Sequence, residues 1–395
     1  MARSTLTLVG TLGLALIAAA GIGCSGAGGS SGGNGAAAGV GGGGGNSGSG
    51  GGINLGGNGA GGSGGGGSPG WTCTPGQPEP GAIDIPGNGK DDDCDGTPDN
   101  GPPANCDSTI TQVEDNDPMH AAMAIGLCQI SDGVKWGVID AKYVKADGAP
   151  VDAAPNVSLQ HGLLSKFGSS VNPQEGTRML GLSSGTARNP TDLGYQPVSG
   201  FDPGSMGTTP PGFPIDSPSC PGVNTASDPT AWNPVALEVK IKAPLNAKSF
   251  KFNFNFYTYE FPVYVCTQYN DFFVALQSPA PPSAQQGNIS FDSQGNPVSV
   301  NNGFLEVCSP QTAGGKQFPC AQGTTGLQGT GFESGAATGW LETASPVSGG
   351  SEFTLRFAIW DMGDPILDSS VVIDNFTWST EGGDIPVTSP VPVPK

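Results

Sequence analysis

The fold class this sequence predicts is mainly β: an antiparallel β-sandwich, jelly-roll-like, with one or two short helices, preceded by a disordered Gly-rich tether. Three observations predict it. Alternation of period two runs through "ALEVKIK", where Leu237, Val239 and Ile241 share a face against Glu238, Lys240 and Lys242. It recurs in "FKFNFNFY", with Phe250, Phe252, Phe254 and Phe256 against Lys251, Asn253 and Asn255, and in "FTLRFAIW", with Phe353, Leu355, Phe357 and Ile359 inward. Such alternation marks half-buried strands. The segments between are rich in Gly, Pro and Asn, and a row of Phe on one face requires a second sheet to cover it. Finally, Ser25 to Pro69 is almost entirely Gly, Ser, Ala and Asn, which cannot build a core.

In chain order, residues 1–23 form a signal segment: Arg3, an apolar run from Leu6 to Ile22, then small residues before Cys24. The pattern resembles a bacterial lipoprotein signal, with Gly21 where that family usually carries Leu. The resemblance implies lipidation of Cys24 and an exported protein at the bacterial outer membrane or cell surface, held to the membrane through the lipid alone. Residues 24–70 are then a lipid-anchored tether, with a random-coil span of roughly 35 to 40 Å. Residues 71–106 form an Asp- and Cys-rich module, residues 107–380 the sandwich, and residues 381–395 a Pro-rich disordered tail. "DPMHAAMAIGLC", Asp117 to Cys128, predicts a short helix with Asp117 as N-cap and Pro118 at its first position. Further strands are expected at Trp136–Ile139, Phe272–Leu276, Ile289–Phe291, Phe304–Val307 and Val371–Trp378. Asn189 to Pro234 reads as a long loop that Cys220 is available to staple.

Composition excludes several functions. A formal charge of −19 argues against nucleic acid, whose phosphates need clustered Lys and Arg. Lys240, Lys242, Lys248 and Lys251 read as a solvated face. Cys73, Cys94, Cys106, Cys128, Cys220, Cys266, Cys308 and Cys320 make an even set, so disulfides are expected in an oxidising compartment. With His120 and His161 alone and no CxxC pair, zinc clusters are disfavoured.

The acidic stretch "GKDDDCDGTPDN" carries the most chemistry. Asp91, Asp93, Asp95, Gly96, Thr97 and Asp99 fall at calcium-loop spacing: carboxylates two apart converge on a hard cation, Gly96 permits the turn, and Thr97 offers a carbonyl. Pro98, Pro102 and Pro103 forbid the exiting helix of an EF-hand. The pattern is similar instead to thrombospondin type 3 calcium repeats and to the Asp-rich metal-binding motif of secreted bacterial proteins. Calcium is therefore the expected cofactor.

Other candidates are weaker. "GLSSG" matches GxSxG at Ser183, but both histidines precede it, so the usual order of serine, acid and histidine is impossible. Glu238, Glu260, Glu306, Glu333 and Glu342 could supply paired carboxylates for glycan hydrolysis, with nothing in their spacing to favour it. A second candidate cation cluster is Asp361, Asp364, Asp368, Asp374 and Asn375 in "WDMGDPILDSSVVIDNFTW", where a carboxylate inside an apolar strand must be paired or metal-bound. Asn270 and Asp271 read as a turn before a buried strand.

"NFNFYTYEFPVYVCTQYNDFFVAL", "GNISFDSQGNPVSVNN", "TGW" and "DSSVVIDNF" together resemble the choice-of-anchor L domain over most of Trp136 to Trp378. The resemblance implies a β-sandwich displayed at the cell surface and transfers no catalytic residues. The expected function is non-enzymatic: a surface lipoprotein with a calcium-binding loop and an adhesion domain for polysaccharide or matrix. The alternatives are an exported glycan hydrolase and a metal-scavenging surface protein.

Overall fold

The structure is a computed structural model that describes Thr74 and residues 81–102, 104–223 and 228–392. The signal segment, Cys24, the tether and Cys73 lie outside the described residues.

The elements are α1 (Pro118–Ala124), β1 (Gly137–Val144), β2 (His161–Leu164), β3 (Met179–Ser183), β4 (Met206–Thr208), β5 (Thr230–Lys242), β6 (Ser249–Thr258), β7 (Phe272–Ser278), β8 (Val298–Ser299), β9 (Gln311–Ala313), β10 (Lys316–Phe318), β11 (Ala336–Ala337), β12 (Leu341–Pro346), β13 (Glu352–Asp361), β14 (Ser369–Ser379) and β15 (Val387–Pro390). One sheet has the order β1-β5-β13-β7-β8 with β4 beside β5. The other has the order β15-β12-β6-β14-β3-β2 with β11 beside β6, while β9 and β10 form a separate hairpin. The ladders are antiparallel. The β-sandwich prediction is thus met.

The alternating residues meet between the sheets. Leu237, Val239, Ile241, Phe353, Leu355 and Phe357 pack against the phenylalanines of β6 in one core. Phe250 stacks on Phe353 and Phe376, with ring centroids 5.3 and 5.2 Å apart, and Phe252 meets Phe357 edge-on at 4.9 Å. Burying each such ring contributes roughly 1.5–3 kcal/mol. The helix adds Ala121, Ala122 and Ile125 to this core. Asp117 caps it by accepting from the Met119 N–H, and Gly126, at φ +95°, turns the chain away after Ala124, earlier than expected.

The outer faces depart from simple alternation. Asn253, Asn255 and Tyr257 of β6 are buried, because Phe167, Leu327 and Phe332 from crossing loops cover Tyr257. Asn255 tolerates burial by donating to the Tyr257 hydroxyl at 2.8 Å. On the other sheet, Phe213 packs on Phe272 and Trp360. The lysines stay outward in cross-strand pairs: Lys240 with Glu352 at 2.7 Å and Lys251 with Glu342 at 3.0 Å.

Two expected strands form only isolated bridges, Phe291 to Pro297 and Val307 to Ala337. Side chains of Asn288, Asp292 and Asn302 accept from nearby backbone N–H groups and end each ladder before it grows. The Pro-rich tail, expected to be disordered, instead supplies β15, an edge strand along β12 with Thr388 hydrogen-bonded to Thr343 at 2.8 Å. Prolines are tolerated there because an edge leaves one side of the backbone unpaired. Disulfides join Cys106 to Cys128, Cys220 to Cys266 and Cys308 to Cys320, and Cys94 is disulfide-bonded as well. Cys220 staples the long loop as expected.

Candidate metal centre

The acidic loop folds around its own backbone. Asp91 accepts from Gly96 N–H at 3.0 Å, Asp93 from Asp95 N–H at 3.1 Å, and Asp95 from Thr97 N–H at 2.7 Å. Positive φ at Cys94 and Gly96 coils the chain tightly enough that Asp91, Asp93 and Asp95 each bring a carboxylate oxygen within 4.8 Å of the others. These three are among the residues singled out by spacing. Asp99 turns back instead to accept from Asn88 and Gly89 N–H at 2.9 and 3.0 Å, closing the loop at its entrance. Partial burial raises the Asp93 pKa; the Asp95 N–H opposes this, and the charges of Asp95, Asp84 and Asp91 add to it.

A residue the spacing did not single out as a ligand anchors the loop. Asp84 is buried and accepts from Asp92 N–H at 2.7 Å and Asn100 N–H at 2.8 Å, joining the two ends. Asn246, on the connection between β5 and β6, holds Ile83 through its N–H and carbonyl and also donates to the Asp92 carbonyl. The loop is therefore fastened to the sandwich. The available signal was Asp84 between Ile83 and Ile85, a carboxylate flanked by apolar residues. Next to the loop lies a cavity of about 220 Å³ whose walls include Ile83, Ile85, Pro86, Pro102, Trp136 and Trp378.

The second group separates into two settings. Asp361 ends β13 and Asp368 precedes β14, both fully buried, with Asp364 half-exposed in the turn between them. Asp374 lies six residues beyond Asp368, roughly 20 Å along an extended strand. Its carboxylate accepts from Gln174 N–H at 2.5 Å and from Asn375 N–H at 2.6 Å. Burial pushes Asp374 up to about 7. Asn375 follows it at a positive φ of 55°, where the ladder with β6 slips register. The acid that does meet Asp361 is Asp271, just before β7, and Glu260, after β6, lies near Asp271 in turn; neither was counted with Asp361 from sequence. Asp271 directly before the apolar run Phe272–Leu276 was the visible sign.

Ser183 ends β3 and is buried, donating to the Ser369 carbonyl and accepting from Ser370 Oγ at 2.8 Å. It sits in a ladder rather than on a strand-to-helix elbow. Among the glutamates, Glu238 pairs with Lys142 and Arg356, Glu306 accepts from Ala321 N–H, and Glu333 accepts from Gly329 N–H.

Residues 223–378 match the family model of the choice-of-anchor L domain. That segment runs from before β5 to the last residues of β14, so it holds most of both sheets, together with Glu260, Asp271, Asp361 and Asp368. A domain of this kind implies a surface or exported protein. No curated protein and no solved structure matches the chain.

Proposed function

We propose that the protein is a surface-displayed binding module in which calcium, held by Asp91, Asp93 and Asp95, fixes the wall of a ligand-binding cavity on a β-sandwich. Lipid on Cys24 and the 24–70 segment would hold it off the outer membrane or cell surface. The observation that carries this reading is the convergence of the three carboxylates within 4.8 Å on a loop whose flanking residues line the cavity. Exposed carboxylates this close repel one another, and a hard cation with oxygen ligands relieves that repulsion. Outside the cell, calcium sites of roughly 0.1–1 mM affinity fill. Calcium on the loop would then stiffen Ile83, Ile85, Pro86 and Pro102 against Trp136 and Trp378. Trp136 is already oriented by its indole N–H, which donates to the Ala82 carbonyl at 3.1 Å. Flat tryptophan surfaces with apolar neighbours suit sugar rings, so the ligand class we assign is a polysaccharide or matrix glycan.

Calorimetric calcium titration and glycan-array binding of the full chain, with and without a chelator, test this. Calcium-dependent glycan retention that is lost in the Asp93→Asn/Asp95→Asn variant is expected. Equal retention in chelator would remove the calcium role, and release of cleaved product would replace adhesion with hydrolysis.

A further inference from the structure

A second cavity, of about 350 Å³, shares no wall residue with the one beside the Asp-rich loop. It lies where the 294–306 segment, the β9–β10 hairpin and the long loop at Ser219 come together. The disulfides Cys220–Cys266 and Cys308–Cys320 staple these segments, and Cys266 N–H donates to Asn301 Oδ1 at 2.6 Å. Lys316, Glu306, Gln294 and Gln317 line the cavity together with Leu305 and Phe318. Phe318 is buried and meets Phe261 edge-on at 5.0 Å. Lys316, half-buried, donates through Nζ to Ser219 Oγ at 2.6 Å and to the Asn301 carbonyl at 2.9 Å. No carboxylate pairs with it among the described residues, whereas Lys142, Lys145, Lys240 and Lys251 each have one within 3.0 Å. Asp292 is the acid whose charge reaches Lys316, and its carboxylate is engaged by the N–H groups of Gln294, Asn296 and Gly303 and by Asn296 Nδ2. The side chains of Gln294 and Gln317 are exposed and make no hydrogen bond among the described residues. Glu306 uses one oxygen, Oε2, to accept from Ala321 N–H at 3.0 Å.

We propose that this cavity binds an acidic sugar, a uronic acid unit of a polysaccharide, with Lys316 as the partner of its carboxylate. An ammonium drawn partly out of water among neutral partners is short of a counter-charge. Two of its three N–H groups are engaged, and the third remains for a carboxylate, in a charge-assisted bond. Burial lowers the Lys316 pKa and the Asp292 charge opposes this; a bound carboxylate would oppose it further. The other walls fit the rest of a sugar. The Gln294 and Gln317 amides and Glu306 Oε1 supply donors and acceptors for ring hydroxyls, and Leu305 and Phe318 offer an apolar surface to a ring face. Glu306 in the wall and the −19 formal charge of the chain repel phosphate-rich or densely charged polymers. The fit is therefore to a polysaccharide in which uronic acids are sparse. Stapled loops hold Lys316 and Ser219 in place before binding, so capture requires little ordering. None of Asp91, Asp93 and Asp95 lines this cavity, so its sugar binding is independent of calcium.

The test is calorimetric titration of the full chain, in chelator, with a disaccharide of one glucuronic acid and one neutral sugar, beside its carboxyl-reduced form. The acidic disaccharide is expected to bind roughly tenfold or more tighter than the reduced one, the scale of one charge-assisted hydrogen bond. Lys316→Gln should abolish that preference and Lys316→Arg should restore part of it, while Asp93→Asn/Asp95→Asn should leave it intact. Gln317→Ala, on the exposed wall, should weaken both sugars by a similar factor. Equal affinity for the two sugars, absence of binding, or an acid preference that survives Lys316→Gln overturns the proposal. Should Lys316→Gln fail to fold, unchanged affinities in Gln317→Ala overturn it instead. Acid binding that appears only with calcium and is lost in Asp93→Asn/Asp95→Asn belongs to the other cavity; it overturns this site and leaves the calcium reading standing.

Discussion

The Asp-rich loop and the acidic interior both gather carboxylates and treat their charge in opposite ways. In the loop, Asp91, Asp93, Asp95 and Asp99 each accept from backbone N–H groups within ten residues or so, and solvent reaches most of them. In the interior, Asp361 and Asp368 are fully buried, Asp361 has only the Ser184 and Asp271 side chains beside it, and Asp368 has no hydrogen-bond partner among the described residues. A local loop satisfies its carboxylates from its own backbone because turns present N–H groups to side chains two residues away. Acids brought together by the tertiary fold arrive on strands whose N–H groups are already committed to ladders. The same residue type is thus satisfied as a carboxylate in one setting and pushed toward its neutral form by burial in the other.

The comparison is broken most directly at Asp368. Near pH 7, Asp368→Asn should stabilise by about 1–4 kcal/mol, since it removes a buried carboxylate whose charged form burial and neighbouring acids disfavour. Thermal melting reads the sign; a destabilised variant would erase the distinction between the two regions. A smaller effect, about 1–3 kcal/mol, is expected for Gly185→Ala, which forces the Asp368 carboxylate to move. Denaturant midpoints of this variant check the expected loss.

Asp374 offers a buried carboxylate outside both groups. Its folded pKa is pushed up to about 7 from an ordinary 3.8, chiefly by burial. The folded state therefore binds the proton more tightly than the unfolded chain. Stability from this group is full below about pH 4 and declines as pH rises toward 7, at up to about 1.4 kcal/mol per unit. Asp374→Asn should flatten that slope in a pH series of denaturant melts carried out in chelator; an unchanged slope would assign the dependence to other acids. The smallest effect is expected in the loop. Without calcium, Asp93→Asn should change stability by less than about 1 kcal/mol, the usual scale for surface substitutions and exposed charge pairs. A larger loss would show that the loop depends on its charges for folding.

How much could be read from the sequence follows the same local and non-local division. The Phe rows of β6 and β13 and the apolar row of β5 were legible because burial on one face imposes a period of two on the residues themselves. So was the Asp117 cap of α1, and so was the meeting of Asp91, Asp93 and Asp95, since their spacing and Gly96 alone bring them together. β2, β3, β12 and β15 were not legible. β2 and β3 are buried on both faces and lose alternation, and β15 is a Pro-bearing edge that exists only because β12 lies beside it. The covering of Tyr257 by Phe167 and Phe332 was hidden for the same reason.

The sequence by itself determined that the chain builds a layered β fold, that its charge and cysteines suit an exported protein, and where three loop carboxylates would meet. Each of these is encoded within a dozen or so neighbouring residues or in bulk composition. Only the tertiary structure decided that Asp271 lies beside Asp361 and Asp368 while Asp374 does not, and that Asp84 and Asn246 fasten the loop to the sandwich. Those contacts join residues far apart in the chain, and their positions follow from strand order and register, which alternation leaves open.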